Sequence, residues 1–137
     1  MAERGTTVAS PVWHIGGCHL VPKILVVDDE PDQRFLLRRI FERAGYEVVD
    51  ACDGAAALTV VQESPPDVVV TDIMMPVLDG VELIRRLRAD RVTAAIPIVA
   101  ASADIHLAGG ADAVVPKPYS WQDLVATVNT LLEESQE

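Results

Sequence analysis

The chain has 137 residues, of which 50% are hydrophobic, and this is enough for one domain with a single core. Its 11 Lys and Arg residues against 21 Asp and Glu residues give a formal net charge of −10, which argues against binding to a nucleic-acid backbone. No apolar run reaches the roughly eighteen residues that a membrane span needs, and the two cysteines lack the spacing of a zinc site. We therefore expect one cytoplasmic domain that contacts neither nucleic acid nor membrane.

Residues 1–22 differ in composition from the rest of the chain. Glycines and prolines interrupt every possible periodicity there, and we predict a flexible N-terminal leader. A secretory signal is not indicated, because Pro11 and His14 break the apolar core that it would need. A second interpretation is that the natural protein starts at Val21, since the segment Val-Pro-Lys directly precedes the first strand.

From residue 23 onward, apolar runs typical of strands alternate with amphipathic runs typical of helices. The predicted strands are Ile24–Val27, Tyr46–Ala51, the stretch around Val68–Val70, Ile96–Ala101 and Ala113–Val115. The predicted helices run from Pro31 to Ala44, from Ala55 to Glu63, from Val81 to Leu87, and from an N-cap at Ser120 to Leu132. This alternation predicts βαβ units, right-handed crossovers and a five-stranded, parallel, doubly wound α/β domain.

Polar side chains follow four of these strands. Asp28 and Asp29 come after the first strand, Asp72 after the third, Ser102 after the fourth and Lys117 after the fifth. In a doubly wound sheet, ligands bind outside the carboxyl ends of the strands, so these groups are expected to face one crevice.

Three carboxylates in one crevice repel each other unless a cation is present. Oxygen ligands without a nearby His or Cys favour Mg²⁺. A carboxylate such as Asp72 can accept a phosphoryl group, with Lys117 neutralising its charge and Ser102 donating a hydrogen bond to it. Each feature alone has an ordinary explanation. An acidic pair after a strand is typical of a solvated helix start, a lysine before a proline is typical of the surface, and a serine after a strand is typical of a helix cap. Their combination at successive strand ends favours the functional interpretation.

Three segments also carry a resemblance to a known family: Ile24–Pro31 (ILVVDDEP), Asp72–Gly80 (DIMMPVLDG) and Lys117–Tyr119 (KPY). They resemble the signature segments of response-regulator receiver domains of two-component signalling, and the resemblance extends over about residues 23–135. It implies a flavodoxin-like three-layer sandwich with strand order 2-1-3-4-5.

The resemblance also implies a role for each acidic residue. Asp72 matches the phosphoacceptor and Asp29 a direct Mg²⁺ ligand, while Asp28 matches the acidic neighbour that acts mainly through water. The backbone carbonyl of Met74 matches the remaining protein ligand of the metal.

Two further residues match groups that contact the phosphoryl group. Ser102 matches the hydroxyl residue that moves toward it, and Lys117 matches the lysine that binds it. Because the family typically has a cis peptide at this lysine, we predict one between Lys117 and Pro118.

The sequence departs from the family pattern in two places. Only 15 residues lead from Ser102 to Lys117, so the family's fourth helix must be shortened to little more than a turn at residues 104–108. Val114 stands where the family commonly has a Tyr or Phe. Both changes fall on the face that in the family commonly passes the signal onward, and they suggest a different partner surface or weak coupling of phosphorylation to shape.

The resulting expectation is a stand-alone receiver rather than an enzyme that turns over a small substrate. It would accept a phosphoryl group from a histidine kinase or a phosphotransfer protein and pass the signal to a separate partner. The alternative is a receiver-like interaction module that works without phosphorylation. An aspartate-nucleophile phosphatase is disfavoured because Met74 stands where those enzymes need a second Asp.

Overall fold

The computed structural model describes residues 21–75, 77–103 and 109–135. Almost all of the predicted leader, and the shortened helix predicted at residues 104–108, lie outside the described residues. The strands are β1 (Lys23–Val27), β2 (Glu47–Ala51), β3 (Val68–Asp72), β4 (Ile98–Ser102) and β5 (Ala113–Pro116). The helices are α1 (Pro31–Arg43), α2 (Gly54–Glu63), α3 (Gly80–Ala89) and α4 (Trp121–Ser135).

The five strands form one parallel sheet in the order β2-β1-β3-β4-β5. This confirms the predicted doubly wound topology and its strand order. The central strand is β3, which pairs with β1 on one side and β4 on the other. The strand order reverses between β1 and β3, and this switch point is where a doubly wound sheet binds its ligands.

The alternation of side chains along β1 divides the core into two layers. Ile24 and Val26 pack in one cluster with residues of α1 and α4, whereas Leu25 and Val27 pack in another with residues of α2 and α3. All four of these side chains are buried. Strands that are apolar on both faces are typical of a parallel sheet covered by helices on both sides. The domain is therefore a three-layer sandwich.

The starts of α2 and α3 are fixed by local contacts that refine the predicted boundaries. Asp53 accepts a hydrogen bond from the Ala56 N–H, so α2 begins one residue before the predicted Ala55. Asp79 caps α3 in the same way through the N–H of Glu82.

The fourth strand was predicted to begin at Ile96 but begins at Ile98. The Ile96 N–H donates to the Thr93 carbonyl in a turn, and the Ile96 carbonyl accepts from Arg88. Both backbone groups of Ile96 are thus engaged outside the sheet, and Pro97 has no N–H to offer. None of the helices in the described ranges combines the length and the apolar character that a membrane span requires.

Candidate functional site

The carboxyl ends of β1 and β3 bring three acidic side chains together. One carboxylate oxygen from each of Asp28, Asp29 and Asp72 lies within 4.8 Å of the others. Asp28 and Asp72 are only 4% and 8% exposed, and Asp29 is more open to solvent. The parallel pairing of β1 with β3 explains this arrangement, because it places the ends of the two strands side by side. The structure therefore assembles the acidic residues that were predicted from the sequence.

Backbone contacts hold Asp28 in place. Its Oδ1 accepts a hydrogen bond of 3.0 Å from the Glu30 N–H, and its carbonyl accepts one of 2.7 Å from Arg34 of α1. Burial, and secondarily the nearby negative charge of Asp72, raise the pKa of Asp28 above its usual value. The ionised form of Asp28 is therefore unfavourable at this position, as expected for a ligand that would bind a cation.

Asp72 contacts Lys117, the one basic residue among the predicted site residues. Its Oδ1 accepts hydrogen bonds from the Ile73 N–H at 2.8 Å and from the Lys117 ammonium at 3.0 Å. Burial alone lowers the pKa of Lys117, but the hydrogen bond to Asp72 and the charge of Asp28 raise the pKa above its usual value. Lys117 is therefore a fixed positive charge at the predicted acceptor.

The strand that follows β3 in the sheet brings Ser102 to the same edge. Asp72 is the register partner of Ala101, so Ser102 lies one residue further toward the crevice, and it is 1% exposed. Its carbonyl accepts a 3.0 Å hydrogen bond from the Lys117 N–H. The peptide bond between Lys117 and Pro118 is cis, as predicted.

The loop after β3 is drawn tightly against the acceptor strand. The Gly80 N–H donates to the Ile73 carbonyl at 2.9 Å, and a Cβ at position 80 would lie 2.3 Å from the Asp72 carbonyl oxygen. Met74 in this loop is 68% exposed, and the prediction uses only its backbone carbonyl. The role of the Met74 carbonyl stays a prediction.

The sequence analysis missed the contacts that three residues make around the site. Arg34 holds the Asp28 carbonyl, and Gln33 of α1 donates a 2.8 Å hydrogen bond to the hydroxyl of Tyr119. The signal for Arg34 was available, because a cation one to two turns into a helix can reach back to the loop before it. No local pattern indicated the pair of Gln33 and Tyr119, which are far apart in sequence.

A groove of about 1090 Å³ lies beside this pair, between α1 and the segment that leads into α4. Leu36, Leu37 and Ile40 line its apolar part, and Lys117 and Tyr119 lie at its margin. The groove thus runs along α1 up to the lysine of the site.

One departure from the family pattern, Val114, lies on the other side of the sheet. Val114 is half-buried and packs against the cluster formed with α2 and α3. Nearby, Arg88 of α3 bonds the carbonyls of Ala94, Ile96 and Gly110 and forms a 2.6 Å ion pair with Asp112. A side chain of α3 therefore ties together the chain segments that enter β4 and β5.

Comparison with known proteins places these features in a family. The sequence model of the response regulator receiver domain matches residues 24–129. The chain belongs to the response regulator receiver domain family. The transcriptional regulatory protein PrrA of Mycobacterium tuberculosis is 43% identical over 116 residues, which are 81% of this chain and 50% of that protein. The chain thus spans about half the length of the curated relatives that it matches.

Solved receiver structures have the same fold. A putative response regulator from Chloroflexus aurantiacus superposes with a TM-score of 0.78 at 32% identity, covering 82% of this chain and 98% of that one. The chemotaxis response regulator CheY4 of Vibrio cholerae superposes with a TM-score of 0.74 at 28% identity, covering 81% and 98% of the two chains. This receiver family acts in two-component signalling, and phosphorylation on an aspartate is general for it.

The donor groups at the site fit a magnesium ion. Receiver domains generally bind Mg²⁺ at an acidic cluster, and Asp28, Asp29 and Asp72 form such a cluster here. Their ligand atoms are hard carboxylate oxygens, the type that Mg²⁺ prefers. Burial is the main cause of the raised pKa of Asp28 and the charge of Asp72 adds to it, so a bound cation would stabilise the ionised form of Asp28.

Proposed function

We propose that this chain is a phosphoryl-accepting switch and that Asp72 is the residue that is phosphorylated. One observation carries the proposal: the buried Asp72 carboxylate is bound by the Lys117 ammonium at 3.0 Å within a cluster of three carboxylates. A lone buried carboxylate beside a lysine could be a structural ion pair. Two further acids at the same point would only add repulsion in such a pair, and they have a use when a divalent cation and a phosphoryl group are bound.

The reaction is a displacement at phosphorus. A carboxylate oxygen of Asp72 forms a new O–P bond while the bond from phosphorus to the donor nitrogen or oxygen breaks. The leaving group departs with the electron pair of that bond and takes up a proton. Lys117 already contacts Oδ1, so attack through the other oxygen retains this contact and keeps a positive charge beside the phosphoryl oxygens.

Asp28, Asp29, Asp72 and the Met74 carbonyl would hold the magnesium ion. When bound, the ion supplies charge neutralisation and orientation of the phosphoryl oxygens. In this proposal the Ser102 hydroxyl donates its hydrogen to one of those oxygens. The position of Ser102 supports this role, because it is buried at the end of β4, one residue beyond the register partner of Asp72.

The phosphodonor is a histidine kinase or a histidine phosphotransfer protein in this proposal. The family relation supports it, since receiver domains interact with such donors. The chain would act as a switch in the cytoplasm that assists its own phosphorylation and dephosphorylation, rather than as an enzyme that turns over a small substrate. Output would pass through a separate protein, and the net charge of −10 supports a protein rather than a nucleic acid as the contact.

The test uses small donors that need no cognate kinase. The full chain is incubated with Mg²⁺ and either acetyl phosphate, which has a P–O bond, or phosphoramidate, which has a P–N bond. Intact mass is then measured for the wild type, for Asp72→Asn and for Asp79→Asn as a control that alters only the cap of α3.

The wild type and Asp79→Asn are expected to gain one phosphoryl group, and Asp72→Asn none. A chelator such as EDTA should abolish the gain, because the acidic cluster then lacks its cation. No gain in the wild type under conditions where Mg²⁺ binding is measured separately would contradict the proposal. That result would favour the phosphorylation-independent interaction module instead.

A further inference from the structure

Two of the chain segments that carry the chemistry at this site are far apart in sequence. One is the end of β1 with Asp28 and Asp29, which continues directly into α1. The other is the end of β5 with Lys117, which continues through the cis peptide into Tyr119. Any relative movement of the two segments changes the distance between the lysine and the acids.

A side-chain hydrogen bond joins these segments beyond the site. The Gln33 amide in the first turn of α1 donates to the Tyr119 hydroxyl at 2.8 Å. The Tyr119 ring packs against the core cluster of α1 and α4. Burial raises the pKa of Tyr119, and the hydroxyl therefore stays protonated at neutral pH.

We infer that the bond between Gln33 and Tyr119 is a latch that positions Lys117 for phosphoryl transfer to Asp72. Tyr119 is two residues from Lys117, so fixing the Tyr119 hydroxyl on α1 restricts where the backbone of Lys117, and with it the ammonium, can lie. The Lys117 side chain is 35% exposed, and its ammonium donates a hydrogen bond to Asp72. A long, partly exposed side chain of this kind gains precision from an anchored backbone. Gln33 and Tyr119 are positioning residues in this inference, which rests on the proposed function.

The chain offers a matched control for the hydroxyl. The hydroxyl of Tyr46 is likewise bonded to an amide side chain, although here the hydroxyl is the donor and the amide oxygen of Asn129 in α4 accepts. Tyr46 precedes β2, at the amino end of the sheet and away from the acidic cluster. Tyr46→Phe therefore removes a bond between the same kinds of groups without touching the site.

The experiment measures the initial rate of phosphorylation by acetyl phosphate in saturating Mg²⁺. The full-length chain is compared with Tyr119→Phe, Gln33→Leu, the double variant and Tyr46→Phe. Tyr119→Phe and Gln33→Leu are each expected to lower the rate by about three- to tenfold, the scale of one hydrogen bond. The double variant is expected to match the single variants, because both remove the same bond. Tyr46→Phe is expected to keep the wild-type rate.

A second background shows whether the latch acts through the lysine. In Lys117→Ala, the further change Tyr119→Phe is expected to leave the residual rate unchanged. A purely structural role for the hydroxyl would lower the rate in both backgrounds.

Three results would overturn the inference: a wild-type rate in Tyr119→Phe, an equal loss in Tyr46→Phe, or additive losses in the double variant. These results differ from failure of the proposed function, in which the wild type itself would gain no phosphoryl group. In that case the latch has no reaction to assist, and the inference is overturned as well.

Discussion

The amino edge of the sheet, where the strands begin, and the carboxyl edge, where they end, arrange their polar groups in opposite ways. At the amino edge, acidic side chains are bonded to donors: Arg88 binds Asp112, whose carboxylate also accepts the Ile98 N–H at 2.7 Å, and Asp67 accepts from the backbone N–H of Lys23. At the carboxyl edge, three like charges share the neighbourhood of one lysine. Acidic groups are thus bonded to donors at the amino edge, whereas three carboxylates lie close together at the carboxyl edge.

This difference shows where stability and function reside. The core layers and the amino edge stabilise the domain, while the carboxyl edge holds Asp28, whose ionised form is unfavourable until a cation binds. Perturbed acids of this kind are common at functional sites. Substitutions at the amino edge should therefore destabilise the chain, and some substitutions at the carboxyl edge should stabilise it at the expense of function.

The largest effect is expected at the amino edge, from Arg88→Met. This change keeps the apolar part of the side chain but removes hydrogen bonds to three carbonyls and to Asp112. Because Arg88 is only 26% exposed, we expect a loss of roughly 2–3 kcal/mol in the free energy of unfolding. Urea denaturation measures it. Arg86→Met, which removes an exposed ion pair with Glu82, is the control and should cost less than about 1 kcal/mol. Equal effects of the two changes would contradict the contrast.

A steric change at the carboxyl edge should come next. Helix propensity alone predicts that Gly80→Ala stabilises α3 by about 1 kcal/mol. The new Cβ would lie 2.3 Å from the Asp72 carbonyl oxygen and 2.7 Å from the Ile73 Cα, so the loop must move. We expect a net loss of about 1–3 kcal/mol, measured by thermal or urea unfolding, and a slower phosphorylation by acetyl phosphate. A stabilised variant with unchanged phosphorylation would show that the tight loop is not needed.

A change of opposite sign is expected for Asp28→Asn. Since the pKa of Asp28 is raised in the folded state, its ionisation costs stability at pH 7, and this cost disappears as the pH falls below the usual range of aspartate. The amide keeps an oxygen for the Glu30 N–H. Without metal, the variant should be more stable at pH 7 by roughly 0.5–2 kcal/mol, and the difference should vanish in acid. Mg²⁺ should stabilise the wild type more than the variant. A destabilised variant at pH 7 would contradict the interpretation that ionised Asp28 is unfavourable in the folded state without a cation.

The smallest effect is expected on the exposed face of α3. Arg85 and Arg86 lower the pKa of Glu82 to about 2. Glu82 therefore contributes stability that is complete above its unfolded pKa and is lost as the pH falls toward about 2. Glu82→Gln should be slightly less stable than the wild type at neutral pH, with the difference shrinking in acid and at high salt. Thermal unfolding across pH measures it, and a difference that grows in acid would contradict this assignment.

Much of the contrast between the edges could be predicted from the sequence. The period of the apolar residues fixed the strands and helices, and the polar residues that follow the strands indicated Asp28, Asp29, Asp72, Ser102 and Lys117. The topology of a parallel sheet then brings them together, because all strand ends of one kind share one edge. The boundary of β4 was misplaced because Arg88, which is distant in sequence, engages Ile96.

The remaining features depend on contacts between distant parts of the chain. The bond between Gln33 and Tyr119 joins residues that no local pattern relates. The steric role of Gly80 depends on how the loop returns to Asp72, which a sequence pattern does not specify. Val114 was identified as a departure from the family, and its packing against the α2 and α3 cluster needed the structure.

The most direct test of the central claim is to locate the phosphoryl group chemically. After treatment with Mg²⁺ and acetyl phosphate, borohydride reduces an aspartyl phosphate to homoserine, and peptide mass spectrometry then identifies the altered position. The proposed function predicts homoserine at position 72 alone, and none in Asp72→Asn. Homoserine at Asp28 or Asp29, or at no position in a wild-type chain that binds Mg²⁺, would contradict it.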